Sequence, residues 1–423
     1  MFVRTKIHFL MGNKKYLLLL GLNLFYLRGL SATVVGCLIP KEANDILKCL
    51  QEKHPEVISN NTIKDVTEKL SNQGSAWKNP QISFETLGGY NLGSSVLDSE
   101  LRISQTIEFS GQRGARQDKG KALGDVFQAD SLSKIEEITL MGVRSLYRLT
   151  QLKDEVGKIE ESIQKFRIIN NQYQSRPRLN PEQEITSGLI QLAVSEFEFR
   201  LNQASSEKNE ILSELQTTTK LSIKDIEENL PDIKNALRPL PQIAKNFRSS
   251  SILKTQAEVN FSKSSLDEAR AEAWPEFTVD FIAQNKIDGS LQYQMYGAGV
   301  SFPLPIFQRN EGEKSLKAVE FSKASNIHAA NLKKQESLLQ NLTSIYEASV
   351  KNLKNTPSNI SIENKHKKAE QLFAQGLISG PLIIETHKQI LEYTQIRNLE
   401  ELKALEAQWR LFILEGDFLN QKL

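Results

Sequence analysis

Two hydrophobic periodicities alternate along this chain. A period of two occurs in four short runs. Ile82 and Phe84 alternate with Ser83 and Glu85, and Leu101, Ile103, Ile107 and Phe109 with Arg102, Ser104, Thr106 and Glu108. Phe277, Val279 and Phe281 alternate with Glu276, Thr278 and Asp280, and a fourth run ends on Ser301-Phe-Pro-Leu-Pro305. Alternation of this kind marks strands with one apolar and one polar face, here at about 80–90, 100–109, 276–286 and 293–303. Gly88-Gly89 and a polar loop over 91–99 separate the first pair, and Asp288-Gly289 separates the second, so two hairpins are expected.

The second periodicity is helical. Leu149, Leu152, Val156, Ile159, Ile163 and Phe166 step by three and four in turn, the seam of a coiled coil. A helix from about 112 to 171 would run roughly 90 Å at ~1.5 Å per residue. Two prolines and an asparagine in Ser175-Arg-Pro-Arg-Leu-Asn-Pro181 reverse it into a second helix over 182–219. Residues 220–248, with Pro231, Pro239 and Pro241, read as an irregular connector. Helix resumes over 250–274, again from Gly312 to Leu353, and over much of 361–415, interrupted by Gln375-Gly-Leu-Ile-Ser-Gly-Pro381. An earlier helix, 41–70, carries a break at His54-Pro55.

The order helix, hairpin, helix, reversal, helix therefore occurs twice. Trp77 and Trp274 are each followed 27 residues later by a serine, Ser104 and Ser301. Gly114 and Gly312 follow the same tryptophans by 37 and 38 residues, and Asn180-Pro181 and Gly380-Pro381 mark the later reversals. Landmarks in one order at near-constant offsets indicate an internal duplication. The expected division is a leader over 1–36, a first repeat over 37–248 ending in the connector 220–248, and a second repeat over 249–423.

Four strands are too few to close a barrel, and an open sheet with one apolar face leaves unpaired edges that lipid does not tolerate. Several copies must then share one barrel, and three copies would supply twelve strands. The expected fold is mixed α and β, mostly α: long coiled-coil helices continuing a trimeric twelve-stranded barrel as a helical tunnel.

Charge alters the picture only at the N-terminus. The formal net charge of the 423 residues is +2, but residues 1–36 hold Arg4, Lys6, Lys14, Lys15 and Arg28 and no acid. Without those five, 48 basic residues face 51 acidic ones, a balance of −3 with no basic footprint for nucleic acid. Lys14 and Lys15 precede the apolar run Tyr16–Leu27, which reads as an export signal, because the run is shorter than the ~20 residues of a spanning helix. Val34-Val35-Gly36-Cys37 resembles a bacterial lipobox, making Cys37 a candidate lipid-attachment residue. Cys37 and Cys49, twelve residues apart on an expected helix, are read as unpaired.

On these residues the chain resembles the TolC-type outer-membrane efflux proteins. The resemblance is carried by Trp77-Lys-Asn-Pro80, Ser104-Gln-Thr-Ile-Glu-Phe-Ser-Gly-Gln-Arg-Gly-Ala-Arg116, Trp274-Pro-Glu-Phe277, Gly299-Val-Ser-Phe-Pro-Leu-Pro-Ile-Phe307 with Gly312, and Gly376-Leu-Ile-Ser379. It implies a homotrimer in outer-membrane lipid, a periplasmic helical tunnel, and docking on a periplasmic adaptor protein and an inner-membrane pump. The family's docking turns fall on Arg178, Leu179 and Asn180 in the first repeat and on Gly376, Leu377, Ile378 and Ser379 in the second. The first turn departs from the Gly-Leu-x-Ser form. Glu108-Phe-Ser-Gly-Gln-Arg113 resembles an element of the cobalt-zinc-cadmium branch, which favours metal cations over drugs as cargo.

No catalytic, cofactor or metal constellation stands out. The histidines are scattered and none sits in a His-Glu-x-x-His pattern. Glu363, His366 and Glu370, at i, i+3 and i+7, read as a solvated helical face. Gly111, Gly114, Pro303, Pro305 and Gly312 are assigned to the strand-to-helix junctions, and Trp77 and Trp274 to interfacial anchoring. The function expected is passive conduction of substrates delivered by a pump and an adaptor. The competing expectation is an exported coiled-coil scaffold or adaptor with no barrel.

Overall fold

A computed structural model describes residues 37–423 apart from 38, 62, 92, 233–236, 238–239, 241–246 and 358. The expected leader, 1–36, lies outside the described residues. Three short helices come first: α1 (Ala43–Lys53), α2 (Pro55–Asn61) and α3 (Ile63–Ser75). His54 separates the first two with ψ 135, the extended geometry that a following proline imposes. The first hairpin, β1 (Gln81–Asn91) and β2 (Ser94–Ile107), leads into α4 (Gln112–Gln174) and α5 (Pro181–Thr219). A short α6 (Ile223–Glu228) lies in the connector, and α7 (Ser250–Ala271) leads to the second hairpin, β3 (Phe277–Asp288) and β4 (Leu291–Ser301). The chain finishes with α8 (Glu311–Asn355), α9 (Asn359–Ala374), α10 (Gly380–Glu415) and a 3-10 turn at Phe418–Asn420.

The hairpins join into one antiparallel sheet of order β1-β2-β3-β4. β2 starts at Ser94, earlier than its apolar pattern predicts. Residues such as Val96 and Asp98 have ladder partners on both sides, Gly89 and Leu87 in β1 and Asp288 and Lys286 in β3, and backbone pairing holds the strand whatever its side chains. The register aligns one apolar row across all four strands: Ile82 with Ile103, Ile103 with Phe281, and Phe281 with Ala298. Phe84, Leu101, Ala283 and Tyr296 form the next row, and of these Phe84 is 71% and Tyr296 80% exposed. The opposite face is polar and internally bonded. Arg102 donates to Glu100 at 2.6 and 3.0 Å, Ser104 Oγ donates to Asp280 at 2.5 Å, and Gln284 donates to Asp98 at 2.8 Å. Among the described residues, β1 and β4 each have an edge without a partner strand.

The helices bury the predicted seam. Leu149, Leu152, Ile159, Ile163 and Phe166 are each at most 4% exposed, and α4 packs on α3, α5, α7 and α10. Phe166 meets Phe197 of α5 edge-on at 5.3 Å, a favourable aromatic arrangement. Lower on α4, Leu146 and Tyr147 share a core with Leu215, Trp409 and Phe412. No helix among the described residues is long and apolar enough to cross a membrane.

Cys37 and Cys49 are paired, which corrects the expectation of free thiols. Cys37 precedes α1 in an irregular segment whose N–H reaches the Thr219 carbonyl at 3.2 Å, so the chain folds back and brings the two Cα atoms to 5.8 Å. That separation is ordinary for a disulfide. A sulfur in this bond cannot at the same time carry a lipid thioether.

Candidate functional site

The sheet turns into the helices through two left-handed residues. Gly111 caps α4 with φ 87, and Asn310 caps α8 with φ 56. A positive φ suits Gly without penalty and Asn with little, and it redirects the chain without breaking the hydrogen-bonded elements. Gly114 and Gly312 sit inside the first helical turns with open space around them, so the pivots are Gly111 and Asn310. Pro303 and Pro305 lie just past β4, where they prevent the ladder from extending.

Both junctions are tied to the end of α7: Ser110 Oγ donates to the Ala271 carbonyl at 2.7 Å, and Asn310 Nδ2 to the Ala269 carbonyl at 3.1 Å. Glu108 accepts paired hydrogen bonds from Arg116 at 2.6 and 2.8 Å, which hold its carboxyl below the usual range although burial opposes them. Arg113, the arginine of the sequence element, instead lies over the Trp77 ring at 4.5 Å. Lys78 links this corner to the second hairpin through Glu276 at 2.5 Å. Phe109 stacks on Phe277 at 4.7 Å, and Phe277 meets Phe302 at 5.5 Å. Trp77 and Trp274 stand exposed at the strand entrances.

At the far end the helices reverse in two turns of different build. In the first, Arg178 and Asn180 are exposed and Leu179 is half-buried. Asn180 is engaged as a cap: its side chain accepts the Gln183 N–H at 2.8 Å, and Gln183 returns the bond at 3.2 Å. The second turn is a Schellman motif. Gly376 (φ 74) donates to the Phe373 carbonyl at 2.8 Å and Leu377 to the Leu372 carbonyl at 2.9 Å. Leu377, which such a motif would usually pack inward, is 67% exposed, whereas Ile378 packs against the distal core. Ser379 caps α10 without a side-chain bond. The two turns are neighbours, because a Cβ on Gly380 would fall 2.4 Å from Thr186 Cγ2. A cleft of about 560 Å³ lies between them, lined by Tyr173, Asn180, Gly376 and Ile378 and reaching Glu370 and His387.

The structure overturns one sequence reading here. His366 is 7% exposed and is turned in with Glu370, so this stretch of α9 is not a solvated face. His387 of α10, which no motif singles out, joins them. The legible signal was symmetry about the turn, since His366 lies ten residues before Gly376 and His387 ten after Leu377. Burial first, then the charges of His366 and Lys165, lower His387 to about 3, so the imidazole stays neutral.

No family model matches the chain. A curated relative, the cobalt-zinc-cadmium resistance protein CzcC of Cupriavidus metallidurans, is 24% identical over 272 residues. The alignment covers 62% of this chain and 64% of that protein's length. Among solved structures, the CmeC outer-membrane channel of Campylobacter jejuni superimposes with a TM-score of 0.69 at 12% identity, over 91% of this chain and 89% of that one. The outer-membrane protein VceC of Vibrio cholerae gives 0.67 at 11% identity, over 89% and 96%, and CusC gives 0.62 at 11%, over 88% and 93%. The superposition extends over nearly the whole length of these channel chains: this chain has the fold of the TolC-type outer-membrane channels.

Proposed function

We propose that this chain is the outer-membrane channel component of a tripartite efflux system. The observation that carries the reading is the four-stranded sheet, apolar and exposed on one face, polar and hydrogen-bonded on the other, with an unpaired edge at each end. Three copies joined edge to edge give a closed twelve-stranded barrel with lipid outside and water inside, which removes the edges. The long helices then continue the duct on the periplasmic side, and the two repeats are products of one duplication. Conduction is passive; a pump and an adaptor supply energy and cargo. Adaptor binding at Arg178, Leu179 and the Gly376–Ser379 turn shifts the helices toward an open arrangement, to the extent that the adaptor prefers that state. The CzcC relative and the Glu108–Arg113 element support metal cations as cargo.

Fractionation tests the reading. Recovery in the outer membrane as a heat-modifiable trimer is expected, whereas recovery as a soluble periplasmic monomer would overturn it in favour of an exported scaffold. For the docking surface, Leu377→Asp with Leu179→Asp is expected to abolish export while trimer and membrane insertion persist; unchanged export would rule out these turns as the contact.

A further inference from the structure

The buried cluster between α9, α10 and α4 has the composition and spacing of a metal site. Nε2 of His366 and Nε2 of His387 lie 3.3 Å apart. Two imidazole nitrogens bound at 2.0–2.1 Å to one tetrahedral ion are about 3.3–3.4 Å apart. Glu370 Oε1 completes a triangle, 3.7 Å from the first nitrogen and 4.0 Å from the second. Closing it to tetrahedral distances takes a carboxylate movement of roughly half an ångström.

Three further observations fit a ligand set and not merely packed core rings. First, Ser162 Oγ donates its single proton to the Lys158 carbonyl at 2.8 Å and therefore accepts from Nδ1–H of His387 at 2.8 Å. That bond selects the tautomer whose Nε2 lone pair points at the cluster, the outer support seen at metal-binding histidines. Second, Lys165 Nζ lies 3.2 Å from both Glu370 oxygens and holds the carboxylate beside the two imidazoles. Third, the cleft between the helical turns is lined by both Glu370 and His387 and gives a path in from solvent.

We propose that His366, Glu370 and His387 bind a divalent transition-metal ion of the zinc type, tying α9 to α10 within three turns of Gly376. Lys165 stays paired with the Glu370 carboxylate, and Ser162 anchors the site to α4. The ion fastens the second helical hairpin to the first, just above the turns between which Gly380 meets Thr186. The proposal does not depend on what the duct conducts.

The full-length protein, purified in detergent with an affinity tag free of histidine, is titrated with cobalt(II) chloride and then with zinc chloride. The expected result is the intense visible spectrum of tetrahedral cobalt, abolished by zinc and absent in His366→Gln and His387→Gln. Glu370→Gln weakens binding, and Ser162→Ala weakens it about 10- to 100-fold. Circular dichroism and gel filtration monitor the fold of each variant. If the histidine variants do not fold, the two milder ones decide. An unchanged cobalt affinity in both, absence of a tetrahedral spectrum in the wild type, or equal binding by the histidine variants would each overturn the assignment.

Discussion

Arg116 reaches back from the first turns of α4 to grip Glu108, eight residues earlier, with two hydrogen bonds of 2.6 and 2.8 Å across the left-handed corner at Gly111. The carboxylate side chain is 1% exposed, and the Lys78 ammonium is 3.9 Å away, with Arg113 a weaker influence. Arg116→Ala strands a buried charge that Lys78 only partly compensates, so a loss of about 2 kcal/mol is expected. Arg116→Lys, which keeps charge without the paired geometry, falls between. Thermal unfolding of the detergent-solubilised protein checks this, and equal midpoints for all three would refute it.

Gly380 and Thr186 set how closely the two helical turns approach. Gly380→Ala places a methyl 2.4 Å from Thr186 Cγ2, an overlap expected to cost about 1–3 kcal/mol. Thr186→Ser removes that methyl and should restore most of the loss in the double variant. The four midpoints of the cycle measure the coupling, and strictly additive effects would show that the turns are not in contact.

The ion pair of Glu207 with Arg148 makes stability depend on pH. Bonds from Arg148 at 2.7 and 2.9 Å depress the Glu207 carboxyl, with burial opposing them. A carboxyl depressed on folding contributes stability above its unfolded value of about 4.3 and loses it as pH falls through the lower folded value. The stability difference between wild type and Glu207→Gln should therefore be full at neutral pH and disappear in acid below that range. A difference independent of pH would count against it.

The Cys37–Cys49 bond closes a short loop, for which a contribution of up to about 3 kcal/mol is expected. Reductant should lower the unfolding midpoint of the wild type and leave Cys49→Ser unaffected. Mass spectrometry of the peptide containing Cys37 reads the alternative directly: a Cys37–Cys49 linked peptide agrees with the structure, and an acylated Cys37 with a free Cys49 does not.

Local periodicity accounts for how much could be read in advance. The alternation at 277–281 and the seam from Leu149 to Phe166 report which face of an element is apolar, a property of neighbouring residues. Helix breaks at His54-Pro55 and Asn180-Pro181 are equally local, because proline restricts its own and the preceding residue's backbone. The start of β2 is not legible because Ser94-Ser-Val-Leu-Asp-Ser99 sets its two apolar residues side by side rather than in alternation and is held in the strand by backbone pairing with β1 and β3.

What the sequence determined by itself is therefore the order, type and approximate length of the elements. These follow from dihedral preferences and from the period of apolar positions within each element. Tertiary structure alone decided which distant residues meet. It chose Gly111 and Asn310 as the corner residues, joined Glu108 to Arg116, paired Cys37 with Cys49, and set His387 against His366 and Glu370. Each of these depends on how the chain turns back through space, and a contact between residues on different elements leaves no period in either one.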